Sequence, residues 1–226
     1  TVNLGGGTLR ATANWASSLV MNLTNAAFPA IIDTNGNDIT LSGVLSGAGG
    51  LTKFNSAGTL TLTAKNTFTG GTIVNGGTLL LAADGSDGVG VIRGTATVNS
   101  GATLNNSANN TFGYTTGQSV NVLNINGGTV GGANFGQHFW NNFQLNMAGG
   151  SLLLGGTFNE FHNPTITVIA DPTTAVISPV TAAAVLRLRD DTSLRFNIAD
   201  GAQLVDMSIT VPIVQQLTSS DITKVG

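Results

Sequence analysis

One short phrase recurs along this chain and constrains its fold more than any other feature. A glycine corner runs at once into a strand-like pair: Gly6-Gly7-Thr8-Leu9, Ala57-Gly58-Thr59-Leu60, Gly76-Gly77-Thr78-Leu79. Looser copies are Gly101-Ala102-Thr103-Leu104, Gly127-Gly128-Thr129-Val130, Gly149-Gly150-Ser151-Leu152 and Gly201-Ala202-Gln203-Leu204. From Leu60 the apolar anchors fall at 60, 79, 104, 130 and 152, in steps of 19, 25, 26 and 22 residues. Asn75, Asn99 and Asn126 each stand one or two positions ahead of the glycines. A unit of this size cannot bury its own apolar face, so it must stack on its neighbours. Gly and Asn tolerate positive φ at sharp corners, and stacked Asn side chains can form amide ladders. A β-solenoid meets these demands together. Jelly rolls and sandwiches do not call for a recurrent turn phrase at near-constant spacing.

Period-2 alternation supports an all-β reading with little or no helix. Thr59-Leu60-Thr61-Leu62-Thr63, Val120-Asn121-Val122 and Thr165-Ile166-Thr167-Val168 each put aliphatics on one face and hydroxyls or amides on the other. Leu194-Arg195-Phe196-Asn197-Ile198 and Ser208-Ile209-Thr210-Val211 alternate likewise. The one helix-like stretch, Thr181-Ala182-Ala183-Ala184-Val185-Leu186, is short. Only 8% of the 226 residues are charged, against about a quarter in an average soluble domain. With 31 Gly, 31 Thr, 24 Asn and 15 Ser, the surface is built from hydroxyls and amides. A net charge of −3 gives no electrostatic footprint for nucleic acid, and no apolar run is long enough to span a bilayer. The absence of Cys removes disulfides, zinc–thiolate sites and thiol nucleophiles.

The stretch Leu41-Ser42-Gly43-Val44-Leu45-Ser46-Gly47-Ala48-Gly49-Gly50-Leu51-Thr52-Lys53 leads into Ala57-Gly58-Thr59-Leu60-Thr61-Leu62. Lys65-Asn66-Thr67-Phe68-Thr69-Gly70-Gly71-Thr72-Ile73-Val74-Asn75-Gly76-Gly77-Thr78-Leu79 follows. These residues closely resemble the autotransporter-associated β-strand repeat over about 40 positions, with Asn55, Ala64 and Phe68 as mild departures from its pattern. The resemblance implies a right-handed parallel β-helix in a large secreted or surface-displayed bacterial protein, and no single activity. Residues 1–226 are expected to form one elongated solenoid segment. Within it, 41–81 is the best-matching repeat and 105–221 are divergent coils. Residues 222–226 start a further repeat, because Ile222-Thr223-Lys224 echoes Leu51-Thr52-Lys53. On this reading the chain is a fragment of a longer solenoid.

Candidate sites are few. Gly88-Val89-Gly90-Val91-Ile92-Arg93-Gly94 misplaces the third glycine of a dinucleotide loop and lacks a βαβ context, so it reads as a turn. Asp33-Thr34-Asn35-Gly36-Asn37-Asp38 has oxygens at alternate positions. However, Asp38 and Val44 stand where an EF-hand loop needs Gly and Glu. Asp84-Gly85-Ser86-Asp87-Gly88 reads as another tight loop. Arg187-Leu188-Arg189-Asp190-Asp191 is the one charge cluster, with Arg187 and Arg189 expected to face outward as an ion-paired surface. Glu160, the sole Glu, lies far from it in sequence. An aromatic-rich stretch, His138-Phe139-Trp140 with Phe143, Phe158, Phe161 and His162, holds both histidines. Its two readings are a contact patch of His138, Trp140, Phe143, Phe161 and His162 for sugar or protein, or a core filled by Phe.

The expectation is therefore an extracellular structural or adhesive module serving as a stalk or display scaffold. It needs no cofactor and no metal, and it is not an enzyme. Its partners would be host or bacterial surface glycans or proteins, or further copies stacked end to end, without nucleic acid or membrane contact. The alternatives are a homopolymeric fibre subunit and a carbohydrate-active β-helix. The last would need clustered carboxylates in a groove.

Overall fold

From Gly58 to Gly150 the glycine phrase turns the corner between the two long faces, whereas Gly6-Gly7 leads from Val2–Leu4 into Thr8–Arg10. Leu204 of the last copy is fully exposed outside any strand. A computed structural model describes the chain except residues 55–56, 133–135, 140–141, 189–193, 202–203, 216–221 and 226, and except the side chains of 215 and 222–225. Its longest sheet, the first face, has ten strands: Thr8–Arg10, Ala30–Asp33, Leu51–Lys53, Thr72–Val74, Gly94–Asn99, Val120–Asn126, Gln144–Ala148, Thr165–Val168, Leu194–Ile198 and Ile222–Val225. The second face has nine strands, from Trp15–Ser17 to Met207–Ile209. A third face begins with Val2–Leu4, Met21–Leu23 and Leu45–Ser46. It continues as loops, and resumes as Gln137–Phe139, Asn159–Phe161, Leu186–Leu188 and Ile213–Gln215. Each strand pairs in parallel with the strand one coil away, so the chain is a β-solenoid. No helix is assigned among the described residues. Thr181–Ala183 form a turn, closed by the Ala184 N–H donating to the Thr181 carbonyl at 3.0 Å.

The anchors read from the sequence form one continuous column. Ile39 pairs with Leu60, Leu60 with Leu79, Leu79 with Leu104, Leu104 with Val130, Val130 with Leu152, and Leu152 with Ile177. These side chains are buried along the bore. The alternating segments form strands as expected, except that Met207–Ile209 ends before Thr210 and Val211. Pro212 follows and has no N–H to continue the ladder. The step between paired residues runs from 19, at Val2↔Met21, to 32, at Ile177↔Ile209, and pairing persists throughout. Added residues fall between strands, as in 82–93, which separate Gly77–Leu81 from Gly94–Asn99.

At the corner between the first two faces, Asn99 Nδ2 donates to Asn75 Oδ1 at 2.7 Å and Asn126 Nδ2 to Asn99 Oδ1 at 3.1 Å. This amide ladder holds the corners in line. On the third face, where strands are missing, side-chain amides take their place. The Leu45 N–H donates to Asn66 Oδ1 at 2.8 Å, and Asn66 Nδ2 donates to the Val91 carbonyl at 2.9 Å. Gln137 and Asn159 continue the pattern: the Gln137 N–H donates to Asn159 Oδ1 at 3.3 Å, and Asn159 Nδ2 to the Val185 carbonyl at 3.2 Å. All three side chains are almost fully buried, and Gln137 Oε1 also accepts the Phe112 N–H at 3.4 Å. These amides thus bond backbone groups both in the coils without a third-face strand and at the starts of the strands that resume.

Lys53 departs from the apolar rule. It occupies an inward position of the first face, paired with Ile32 on one side and Val74 on the other, and it is fully buried. Its Nζ donates to the Gly76 carbonyl at 3.1 Å and the Phe54 carbonyl at 3.2 Å, tying two coils at the corner. Burial pushes the ammonium down from 10.5 to about 8, while the negative charge of Asp33 pulls the other way. Because the folded value lies below the unfolded one, the native state loses this proton first as pH rises. The cost of the buried charge is fully present below about pH 8 and is relieved between about 8 and 10.5, so stability rises through that window.

The resistance of the chain to urea is expected to climb between about pH 8 and pH 10.5, and Lys53→Met should flatten the climb. A slope unchanged in the variant would assign the effect to other groups. A second expectation concerns two corner glycines. Gly101 has φ 78° and open space around a notional Cβ. Gly58 has φ 90°, and there the Cβ would run into the Asn37 carbonyl. Gly101→Ala should cost about 1 kcal/mol and Gly58→Ala more than about 3 kcal/mol in the same unfolding measurement.

Candidate functional site

Alternation along Gln137–Phe139 sends its residues to opposite sides. Gln137 and Phe139 turn inward, and His138 turns out. Parallel register then places His138 beside Glu160 and Glu160 beside Arg187, although these residues stand 22 and 27 positions apart in the chain. No local motif marks this column. Continuing the step of about 22 residues past the glycine phrases would have found it.

This column and loops of the preceding coils line an open groove of about 590 Å³. Ser86, Asn109 and Asn110 form one wall, Gly136 and His138 lie along the floor, and Gly156, Thr157, Phe158 and Glu160 form the other wall. Asn110 Oδ1 accepts the His138 N–H at 3.0 Å, and Asn109 Oδ1 accepts the Gly136 N–H at 3.2 Å. These two amides cap the edge strand where no neighbouring strand exists. The Tyr114 hydroxyl donates to the Ser86 carbonyl at 2.6 Å, and its ring centroid lies 5.4 Å from that of His138. The loops are thus fastened to the wall below them.

Glu160 is almost completely buried, with Oε2 3.6 Å from His138 Nε2. The Arg187 guanidinium lies 4.2 Å over the Phe158 ring centroid, and Phe158 is 49% exposed at the rim. The groove therefore combines one exposed aromatic ring, one carboxylate and several amides and hydroxyls. Glu160 is the sole carboxylate among its described lining residues. An acid and base pair of the glycosidase kind needs two.

The aromatic-rich stretch divides between inside and outside. Phe143 and Phe161 have no exposed surface and pack with Phe139 and Phe112 in the bore, with centroids 4.5 to 5.8 Å apart. Their rings cannot meet a ligand at the surface. His162 is mostly buried, with its N–H donating to the Phe139 carbonyl at 2.9 Å. Of the residues expected in a contact patch, His138 reaches the groove. Trp140 lies outside the described residues, as do Arg189, Asp190 and Asp191 of the charge cluster. Phe158 and Glu160 line the groove with His138, while Tyr114 packs on His138 and Arg187 on Phe158 behind them.

The two oxygen-rich loops are hydrogen-bonded corners. Asp33 Oδ1 accepts the Asn35 N–H at 2.9 Å, and Asp38 Oδ1 accepts the Thr59 N–H at 2.9 Å. Arg10 reaches Asp33 at 3.4 Å and Asn35 at 2.6 Å. In the second loop, Asp84 Oδ1 accepts the Ser86 N–H at 2.7 Å, and Asp87 pairs with Lys65 at 2.6 Å. Both carboxyls are held below their usual range, Asp84 by hydrogen bonds from Ser86 and Asp87 by one from Lys65. Among the described residues no group of three or more His, Cys, Asp or Glu could hold a metal ion.

Residues 51–81 match the passenger-associated-transport-repeat family, so the chain carries an autotransporter-associated repeat. The matched segment holds two successive strands of each long face and also includes the corner Gly58 and the buried Asn66. The chain is also 33% identical, over 143 residues, to the adhesin BmaC autotransporter of Brucella suis biovar 1 (strain 1330). That similarity covers 63% of this chain and 4% of the relative, so the chain spans a small part of the relative's length. No solved structure matches the chain.

The His138–Glu160 pair yields a direct measurement. A double-mutant cycle of urea unfolding with His138→Ala and Glu160→Gln should give a coupling of about 0.5–1 kcal/mol. Additive effects of the two single changes would show that the contact contributes nothing to stability.

Proposed function

We propose that this segment is a stalk and display scaffold within an extracellular β-solenoid surface protein of the autotransporter kind. The observation that carries this reading is the unbroken in-register column of the second face, which makes a continuous load-bearing bore whatever the loops outside it do. The passenger-associated repeat at 51–81 and the similarity to an autotransporter adhesin support an extracellular setting. The hydroxyl- and amide-rich outer surface suits it too, because it keeps the rod wet with few charges. Among the described lining residues the groove has one carboxylate, which supports a structural or binding role over hydrolysis. Stacked strands transmit position along the axis, so a solenoid of this kind holds whatever lies beyond it away from the cell at a set distance.

The reading is tested by changing rod length in whole coils. Duplicating residues 60–78 in the complete protein adds one 19-residue step, because Leu79 occupies the position of Leu60 one coil on. The rod should lengthen by about 4.8 Å, and antibody labelling and attachment of intact cells should stay within about twofold of wild type. An insertion of half that length breaks the register and should abolish surface labelling. Loss of attachment by a whole-coil duplication that is still displayed and folded would overturn the scaffold role.

A further inference from the structure

We propose that the third-face groove is a binding site for a neutral pyranose unit of a glycan. The site is built rather than incidental. Its carboxylate, Glu160, is 4% exposed and is held in place by His138 on one side and by the strand register on the other. Carbohydrate recognition needs two things at once. An apolar ring must cover the C–H face of the sugar, and planar polar groups must meet its hydroxyls edge-on. Phe158 supplies the first. Arg187 covers one ring face at 4.2 Å, which fixes the ring's orientation and leaves its exposed half to the groove. Glu160, Asn109 and Asn110 supply the second, with His138 and the Thr157 hydroxyl beside them. A carboxylate and an amide accept and donate in complementary senses, which suits a ligand whose hydroxyls do both.

Other ligand classes fit less well. A phosphate or an acidic sugar would meet the Glu160 carboxylate inside the groove, while the Arg187 guanidinium beside it is turned onto the Phe158 ring. A metal ion would find two ligand side chains, His138 and Glu160, that already face each other. An aliphatic ligand would strand the amides of the wall. The cavity, at about 590 Å³, lies within the range of roughly 300–1,000 Å³ typical of small-ligand sites. Its loops are tied down before any ligand arrives, by the Tyr114–Ser86 and Asn110–His138 hydrogen bonds. Little ordering is left for binding to impose. This proposal stands apart from the scaffold role, since a rod can be passive or carry a site on one wall.

The test uses the 226-residue chain and saturation-transfer NMR with methyl β-galactoside, methyl β-glucoside and methyl β-glucuronide. At least one neutral pyranoside should bind saturably with Kd on the order of 1 mM, and the glucuronide at least about tenfold more weakly because of Glu160. Phe158→Ala and Glu160→Gln should each weaken the neutral sugar by about tenfold or more, and Phe158→Tyr should retain it. Thermal unfolding of each variant verifies that the solenoid persists, which is expected because Phe158 is half-exposed and the Glu160 change keeps its shape. Three results would each overturn the proposal: no saturable binding of either neutral sugar, tighter binding of the glucuronide, or binding unaffected in folded Phe158→Ala and Glu160→Gln.

Discussion

Hydrogen bonding between successive coils is the constraint on which the rest of this molecule depends. A coil of this length has no partner for its own N–H and C=O groups, so every strand must find them one coil up and one coil down. That requirement fixes the parallel register, and the register aligns like positions into columns. Once columns exist, the bore can be filled by repeating aliphatics and the corners by repeating amides. The amide ladder of Asn75, Asn99 and Asn126 and the buried column from Ile39 to Ile177 are two expressions of that rule.

The third face shows what happens when the rule is met without strands. Between Leu45–Ser46 and Gln137–Phe139 the chain leaves the wall as loops, yet the backbone groups left behind are still bonded. Asn66, Gln137 and Asn159 reach inward and act as surrogate backbone, and Asn109 and Asn110 do the same at the groove edge. The amides that close the wall above His138 are thus also the amides that line the groove. Structural repair and a potential binding surface arise from the same side chains. Lys53 is a third solution: a flexible stem fills an aliphatic slot, and an ammonium supplies donors to two carbonyls that meet at one corner.

The second-face column could be read directly from residue spacing, because parallel pairing converts a step in sequence into a contact. The corner glycines were legible for the same reason. Lys53 was not, since a lysine in an alternating strand ordinarily points outward and only the three-dimensional corner offers it two carbonyls. Composition alone leaves the aromatic stretch open between core and surface, because it ignores parity. His138 and Phe139 are neighbours in the chain and opposites in the fold, so Phe139, Phe143 and Phe161 fill the bore as the core reading had it, and a half-buried imidazole faces out. Glu160 was discounted for its distance from Arg187 along the chain, yet a distance of about one coil is adjacency in a solenoid.

The spread of coil steps from 19 to 32 residues, with pairing kept throughout, bears on how such a surface can change over time. The bore keeps its phase in space and ignores length in sequence. A segment inserted at a third-face loop is shed outward without moving any column, whereas one residue added inside a strand shifts all that strand's side chains to the wrong wall. New exterior can therefore be grafted onto one side of the rod while the interior is copied unchanged. The groove lies on that permissive side, where the molecule can vary what it shows without revising how it stands.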